Sequence, residues 1–384
     1  MTIQTRYDSP TDNPLDPVCY RGEVAYIYAY DLAYDMKRQR VDHIVSQPTR
    51  DYLVVPSKRS PKQMFFYRPA VAEFPPEAGW LADGREVLIK RSVKLFDIGA
   101  ISIQVRIPFD VASLDELVGL HDVQLVDKSL QQQVSEFAEQ VRRDLEPHCI
   151  RPVPALTQSE AYTIFCLSEL PLQTEDGRQI GAEQWLKNNR RRIAALLTQE
   201  DDAAHLSDQE VTESTSLYIS YYDRDLVLVD WHSALVVGQQ EALDDVLHMI
   251  EFANVQLVEL AAYDHILDDA LQVSYRDISQ MGFHSKRETR KKLRELRIDL
   301  SRLDDELSNI TKFFGDWYLA QIHENLAHRF HLSDWHRIVD EKLETLGSLY
   351  QILQQDRADF LMFVLEATIV LLFIIDLLLL LGKA

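Results

Sequence analysis

The sequence predicts an α+β protein: an N-terminal mixed α/β domain, then a long helical, coiled-coil-like stalk, then one C-terminal transmembrane helix. Strand-like and helix-like runs alternate up to about residue 237, whereas the chain after Gly238 has helical periodicity. The chain closes on the apolar run FLMFVLEATIVLLFIIDLLLLL at 360–381, about the length that a membrane-spanning helix needs. We therefore divide the chain into a flexible N-terminus (1–20), an α+β domain (21–237), a helical stalk (238–357) and a transmembrane helix (358–382).

The predicted domain has two strong strand signals. One is the aromatic run EVAYIYAY at 23–30, and the other is a hairpin over 86–107 that turns at Ile98-Gly99. Alternating aliphatic residues in the hairpin predict one buried face per strand, and we expect Pro108 to end its second strand. Weaker signals predict strands at 63–71, 162–170, 217–222 and 226–229, and helices at 111–120, 127–146, 182–197 and after Ser207.

Charge and cysteine content exclude several classes of function. The chain of 384 residues carries 40 basic and 61 acidic residues, for a net charge of −21, so we expect no direct nucleic-acid binding. Cys19, Cys149 and Cys166 are odd in number and have no CxxC spacing, which predicts reduced thiols rather than disulfides or a zinc site. The N-terminus has no apolar core of a secretory signal, so we expect the bulk of the chain to be cytoplasmic.

The helical part carries leucines with coiled-coil spacing. Five of them, separated by alternating steps of 3 and 4, form an a/d heptad pattern: Leu293, Leu296, Leu300, Leu303 and Leu307. A second seam begins at Leu332 and includes Leu343, Leu346 and Leu353. The two seams predict long antiparallel or coiled-coil packing and make a homo-oligomer plausible.

Two acids, Glu366 and Asp376, interrupt the apolar C-terminal run. A carboxylate inside a membrane helix costs roughly 2.5–3.5 kcal/mol on insertion scales. Either both acids fix the packing of an oligomer of helices, or they form rings that line a cation path. We favour the first interpretation.

No motif predicts an enzyme. The sequence has no phosphate-binding glycine loop and no GxSxG elbow, and it nominates no nucleophile, base or cofactor site. His323, His328, His331 and His336 could place ligands on one helical face, but packing explains them equally well and we predict no metal. The triplet Arg190–Arg192 could contact an anion, although a solvated helix face is the more common role.

The C-terminal third carries a family resemblance. The residues are KLETLGSLYQIL (342–353), Arg357, Leu365-Glu366 and, ten residues on, Asp376, with looser matches at 95–103 and 252–269. On these the chain resembles the family named for "required for meiotic nuclear division", a domain of unknown function in mitochondrial and bacterial proteins. The resemblance implies a membrane-anchored, oligomerising protein, and the lack of a transit peptide points to a bacterial member.

These observations predict a tail-anchored, oligomerising scaffold that organises partners on the cytoplasmic face of the bacterial inner membrane. Its C-terminal helix would contact the lipid bilayer. The alternative is a cation-conducting or ion-sensing oligomer that uses Glu366 and Asp376.

Overall fold

A computed structural model describes residues 20–37, 39–52, 69–156, 159–171, 179–238, 240–279 and 317–381. At 240–242, 277–279, 350, 352–361 and 376–381 the description covers the backbone alone. The described residues contain the following strands: β1 (Tyr20–Asp31), β2 (Ala33–Met36), β3 (His43–Ile44), β4 (Gln47–Asp51), β5 (Ala70–Trp80), β6 (Glu86–Leu95), β7 (Ala100–Val111), β8 (Cys149–Pro152), β9 (Glu160–Leu167), β10 (Tyr218–Ile219), β11 (Leu226–Val229) and β12 (Ser233–Val237).

The helices of the described residues are α1 (Asp115–Val118), α2 (Leu130–Leu145), α3 (Ala182–Thr198), α4 (Asp208–Ser214), α5 (Gln240–Ser279), α6 (Trp317–Arg329) and α7 (Leu332–Leu381). Sequence predicted the start of α4 from its capping residue. Ser129 and Ser207 accept hydrogen bonds from backbone N–H groups in the first turns of α2 and α4, as serine N-caps do.

Ten strands form one sheet in the order β10-β11-β12-β9-β1-β7-β6-β5-β4-β3. β1 lies at its centre and pairs antiparallel with both β7 and β9. β12 runs parallel to β9, which requires a crossover connection, and α3 and α4 lie in it. β2 and β8 form a separate antiparallel pair.

Alternation along β1 assigns each face of the sheet to a different set of helices. Val24, Tyr26, Tyr28 and Tyr30 join an apolar core with α2 and α3, whose own apolar stripes include Val141 and Trp185. The opposite face of the sheet presents Ile27 of β1, Ser102 of β7 and Lys94 of β6. α5 packs on this face through Glu251. Helices therefore cover both faces, and the second face is the more polar one.

The contacts of the chain divide into two units. The first contains the described residues up to Val255 and those of α6. The second contains the described residues from Gln256 to Ser279 and from Phe330 onward. Within the second unit, Lys342 of α7 pairs with Asp264 and Asp268 of α5 at 2.7 and 2.6 Å, so the two helices contact each other there.

The predicted α+β class is confirmed, with a sheet domain first and helices after it. Gly99 makes the predicted turn between β6 and β7 at φ +100°, and a Cβ there would meet the Ala33 carbonyl oxygen at 2.0 Å. The predicted strand end at Pro108 is wrong. Pro108 lies opposite Glu23 within the β1–β7 pair, and β7 continues to Val111.

The prediction of a transmembrane helix at 358–382 is corrected. Among the residues that the structure describes, no helix is both long and apolar enough to cross a membrane. The predicted tail anchor and single-pass location in the bacterial inner membrane are therefore wrong, and contact with a lipid bilayer gains no support.

Candidate functional site

The C-terminal part of α7 presents a long apolar surface. Its exposed side chains, each 42% to 72% accessible, are Met362, Phe363, Val364, Leu365, Ile369, Val370, Leu371, Leu372, Phe373, Ile374 and Ile375. They occupy every side of the helix, whose lateral surface over this length is roughly 700 Å². The largest apolar patch on a typical monomer is about 300–600 Å². We name residues 362–375 the apolar segment and treat it as a candidate interaction surface.

The two acids singled out in the sequence lie in this helix. Glu366 lies inside the apolar segment and is exposed. Asp376 follows in α7, where the description covers the backbone alone. The predicted role of the two acids in oligomer packing therefore stays a prediction.

The predicted leucine seams are only partly described. Leu293, Leu296, Leu300, Leu303 and Leu307 lie outside the described residues, and Leu353 lies where the description covers the backbone alone. Leu332, Val339 and Leu346 are buried, and Leu343 is half-buried. This part of α7 packs within the second unit, whereas the apolar segment does not.

A buried ion pair, which no sequence pattern predicted, joins the second face of the sheet to α5. The Lys94 ammonium donates to Oε2 of Glu251, and the Ser102 hydroxyl donates to its Oε1 over 3.1 Å. Glu251 is 0% exposed and Lys94 is 5% exposed. Because removing one partner of such a pair leaves an uncompensated buried charge, the pair strongly favours this docking of α5.

Further polar groups surround that pair. The Lys94 ammonium lies 4.4 Å from the centre of the Tyr52 ring, which in turn lies 4.3 Å from the His248 ring. Burial, together with the Lys94 charge, lowers the pKa of His248 well below its usual value. Gln104 Nε2 and His248 Nδ1 are buried and have no hydrogen-bond partner among the described residues.

Arg106 extends the cluster along β7. It donates to Asp244 of α5 at 2.8 Å and to Glu23 of β1 at 3.1 Å. Its Nε donates to Gln104 Oε1 at 2.7 Å. The cations and carboxylates of this cluster thus compensate one another, which is the pattern of a structural tie between helix and sheet.

Arg329, at the end of α6, is a second buried cation. It is 4% exposed, donates to Glu213 Oε1 at 3.0 Å and lies 3.5 Å from Asp230 Oδ1. Burial raises the pKa of Asp230, although the Arg329 charge opposes that shift. Arg329 also reaches the Val229 carbonyl at 3.4 Å, so it ties α6 to the end of β11 and to α4.

The four histidines considered as ligands do not form a metal site. Among the described residues, no group of three or more His, Cys, Asp or Glu side chains could hold a metal ion. His323 is buried on α6 with its ring 6.1 Å from that of Phe252, and burial lowers its pKa to about 4. His331 directly precedes α7 and has a left-handed backbone conformation. Its ring lies 3.3 Å from Asp334.

The arginine triplet of α3 ties neighbouring segments together. Arg190 donates to the Thr215 hydroxyl at 2.6 Å, and Arg191 donates to Asp208 and to the Leu206 carbonyl at 2.5 Å. Arg192 lies 3.8 Å from Asp115. The triplet therefore has more intramolecular contacts than the solvated face that we favoured.

A strained turn joins β3 and β4 beside a shallow cavity. Val45 and Ser46 have φ values of 46° and 65°, unusual above all for a β-branched residue. The Asp144 carboxylate of α2 accepts from the Val45 N–H at 2.8 Å and holds the turn. The cavity, of about 600 Å³, is lined by Arg40, Asp42, His43, Ser46, Asp144 and His148. Its charges are of both signs, so it defines no ligand class.

The described cysteines are free and buried. Burial raises the pKa of both Cys149 and Cys166, which disfavours the reactive thiolate. Cys19 lies outside the described residues. Cys149 and Cys166 form no disulfide with each other, and the reduced state of the thiols stays a prediction.

The first unit is an α+β domain with a mixed sheet and helices on both faces. Residues 21–244 match the family model of the N-terminal domain of uncharacterized protein MJ0711. Because this match covers more than half of the chain, the chain belongs to that family. The protein of that name in Methanocaldococcus jannaschii is 26% identical over 225 residues, which span 58% of this chain and 66% of the relative, just under two thirds. No solved structure matches the chain significantly.

The resemblance to the "required for meiotic nuclear division" family is therefore wrong, since the family match is to a different family. That resemblance depended mostly on residues 339–381, a leucine-rich helix followed by an apolar run. Such residues recur in unrelated helical proteins because helix packing alone requires them. The matched family instead covers the sheet domain and ends within the first turns of α5.

Proposed function

We propose that the protein is a homo-oligomeric scaffold whose copies associate through the apolar segment of α7. One observation carries the proposal: eleven large apolar side chains in this segment are exposed around the whole helix. A helix that is apolar on all sides is favourable only when it is buried. Its lateral surface of roughly 700 Å² faces every direction, so more than one neighbouring helix is needed to bury most of it.

A second copy is the occupant that supplies the matching surface. Helices that associate through the same segment bury identical apolar surfaces in a closed, symmetric contact. Leu365, Ile369 and Leu372 lie at i, i+4 and i+7 on one side of α7 and are 60%, 45% and 60% exposed, which is the spacing of a helix–helix contact. The predicted heptads at Leu293–Leu307, a coiled-coil stalk in our proposal, would extend the same assembly.

Glu366 would lie within such a contact. In an apolar interface its carboxylate would be protonated or paired, and a buried polar group of this kind can fix the register and number of helices at some cost in stability. Ion conduction through the assembly stays an untested prediction and is not included in the proposal.

Light scattering of the full-length protein, with and without mild detergent, tests the proposal. We expect a defined oligomer for the wild type, and a shift to monomer for the triple variant Leu365→Gln/Ile369→Gln/Leu372→Gln. Ile338→Gln, at an exposed apolar position of α7 outside the segment, is the matched control and should leave the mass unchanged. A monomeric wild type, or one that associates only with phosphatidylcholine vesicles and not with itself, would overturn the proposal.

A further inference from the structure

Four exposed aromatic residues lie in β10, in the turn that follows it and at the start of α6. Tyr221 and Tyr222 form the turn between β10 and β11, with ring centroids 4.7 Å apart at 82°. The Tyr221 ring lies 6.0 Å from that of Tyr318, so the turn contacts the start of α6. We name Tyr218, Tyr221, Tyr222 and Trp317 the aromatic edge surface.

The residues of this surface are accessible. Tyr222 is 70% exposed, Trp317 62%, Tyr221 45% and Tyr218 38%. Tyrosine and tryptophan are the residues most enriched where protein interfaces bind most strongly, because they bury a large area with few rotatable bonds. Their grouping at one edge of a domain therefore indicates an interaction surface rather than scattered exposure.

Hydrogen bonds fix the backbone that carries these rings. Asp225 Oδ1 accepts from the N–H groups of both Tyr221 and Tyr222, at 2.7 and 2.8 Å. The Ser220 hydroxyl donates to the Tyr222 carbonyl at 3.0 Å. A surface held in this way loses little conformational freedom when a partner binds.

The charges around the rings select a cationic partner. Residues 208–230, which carry three of the four rings, contain six acids, of which Asp208, Glu213 and Asp230 are paired with Arg191 or Arg329. The other three acids of this range, two of them in the turn, outnumber its one arginine, Arg224. Asp223 is exposed in the turn beside Tyr222. Lysine and arginine side chains bind over aromatic faces through cation–π attraction, and neighbouring carboxylates strengthen their approach.

The position at the sheet edge selects an extended partner. β10 is the terminal strand of the sheet, and no strand among the described residues pairs with its outer side. An extended peptide can add to such an edge through backbone hydrogen bonds while its alternate side chains contact neighbouring pockets.

We propose that the aromatic edge surface binds an extended segment of a partner protein rich in lysine and arginine. Nucleic acid is disfavoured because the surface is acidic. The proposal is independent of self-association through the apolar segment, so the two can fail separately.

Fluorescence anisotropy with the full-length protein tests this, using a labelled ten-residue peptide of alternating lysine and valine and a matched glutamate–valine peptide. We expect binding of the lysine peptide, weakened at least tenfold by Tyr222→Ala or Trp317→Ala, neither of which alters the charge. Tyr275→Ala and Trp80→Ala remove aromatic residues that are 54% and 53% exposed elsewhere and should leave affinity unchanged.

Three further outcomes decide the proposal. Retained lysine-peptide binding by the monomeric Leu365→Gln/Ile369→Gln/Leu372→Gln variant supports it as a separate site. Equal loss with the control alanines would show binding by net charge alone and overturn it. A change of oligomer mass with Tyr222→Ala, without loss of peptide binding, would make the surface a contact between copies and also overturn it.

Discussion

Two glutamates on two helices of this chain differ in how deeply they are buried. Glu251 lies in α5 and is 0% exposed, whereas Glu366 lies in α7 among apolar residues and is exposed with them. The local sequence does not predict this difference, because both acids have apolar neighbours, Ile250 and Phe252 for one and Leu365 and Ala367 for the other. Burial here depends on what distant segments bring to the helix, and not on the run of residues in which the acid lies.

The sheet supplies those distant partners to α5. β6 and β7 place Lys94 and Ser102 against Glu251, and the Glu160 carbonyl at the start of β9 accepts from Asn254 Nδ2 at 3.0 Å. Buried polar groups are tolerated only when such partners exist. The apolar segment of α7 has the opposite requirement, an apolar partner, and the described chain leaves its side chains exposed.

Removing the Glu251 carboxylate should have the largest effect. Glu251→Ala leaves the Lys94 ammonium buried without its counter-charge, so we expect a loss of about 3–5 kcal/mol in the free energy of unfolding. Glu344→Ala, at an exposed acid of α7 outside the apolar segment, is the control and should change that free energy by less than about 0.5 kcal/mol. Urea denaturation followed by tryptophan fluorescence measures both.

A double variant separates a lost ion pair from a lost contact. Replacing both partners, as Lys94→Met/Glu251→Leu, removes the two charges together and should recover most of the loss seen with Glu251→Ala. If the double variant is as unstable as the sum of the single ones, Lys94 and Glu251 are not coupled, and the contrast between the two glutamates fails.

Acid should destabilise the layer of helices around Glu251 through His323. Burial holds the pKa of His323 at about 4, below its ordinary value near 6.5, so the unfolded chain binds a proton before the folded one does. This contribution to stability is complete above pH 6.5 and is lost as the pH falls toward 4, by about 3 kcal/mol in all.

Unfolding free energies of the wild type and His323→Leu between pH 7 and pH 4 measure that slope, and we expect a flatter profile in the variant. His205→Asn, at a side chain that is 73% exposed, is the control and should keep the wild-type profile. Burial raises the pKa of Asp31 to about 6, which acts in the opposite direction, so the difference between variants is the informative quantity.

A smaller effect is expected at the last polar contact of α5 within the first unit. Asn254→Ala removes the donor to the Glu160 carbonyl and should cost about 1–2 kcal/mol. Asn188→Ala, on the exposed side of α3, should cost well under 1 kcal/mol. Equal losses would mean that the polar contacts of α5 contribute no more than surface ones.

The sequence predicted what depends on local pattern. β1 and the β6–β7 hairpin could be read because aromatic and aliphatic residues alternate with a clear period, and α4 because Ser207 caps it. β2, β3, β4, β8 and β12 were missed because they are short or defined by pairing alone. The strand predicted at 63–71 overlaps β5 (Ala70–Trp80) at two residues only. The parallel pairing of β12 with β9 is set by the crossover, which no short window contains.

Some of the candidate sites could likewise be predicted from local sequence pattern, and others could not. The residues of the exposed apolar segment were already singled out in the sequence, where they were predicted to form a membrane helix. The Lys94–Glu251 pair joins residues 157 positions apart, and no local spacing marks either of them. The aromatic edge surface was visible only as the tyrosines of a predicted hairpin, because Trp317 comes to the same edge from a helix almost a hundred residues later.

The smallest expected effect distinguishes the two halves of α7. Lys342 pairs with Asp264 and Asp268 of α5 and is only 23% exposed, so this half has charged partners within the chain while the apolar segment has exposed side chains. Lys342→Met should cost about 0.5–1 kcal/mol, because partly exposed pairs are screened by solvent. Amide hydrogen exchange at 336–348 measures the local loss, and the exposed pair of Arg337 with Glu341 supplies Arg337→Met as the weaker control. If Lys342→Met instead increases exchange in the apolar segment as strongly as at 336–348, the two halves of α7 open as one unit. The two halves would then not differ in local stability.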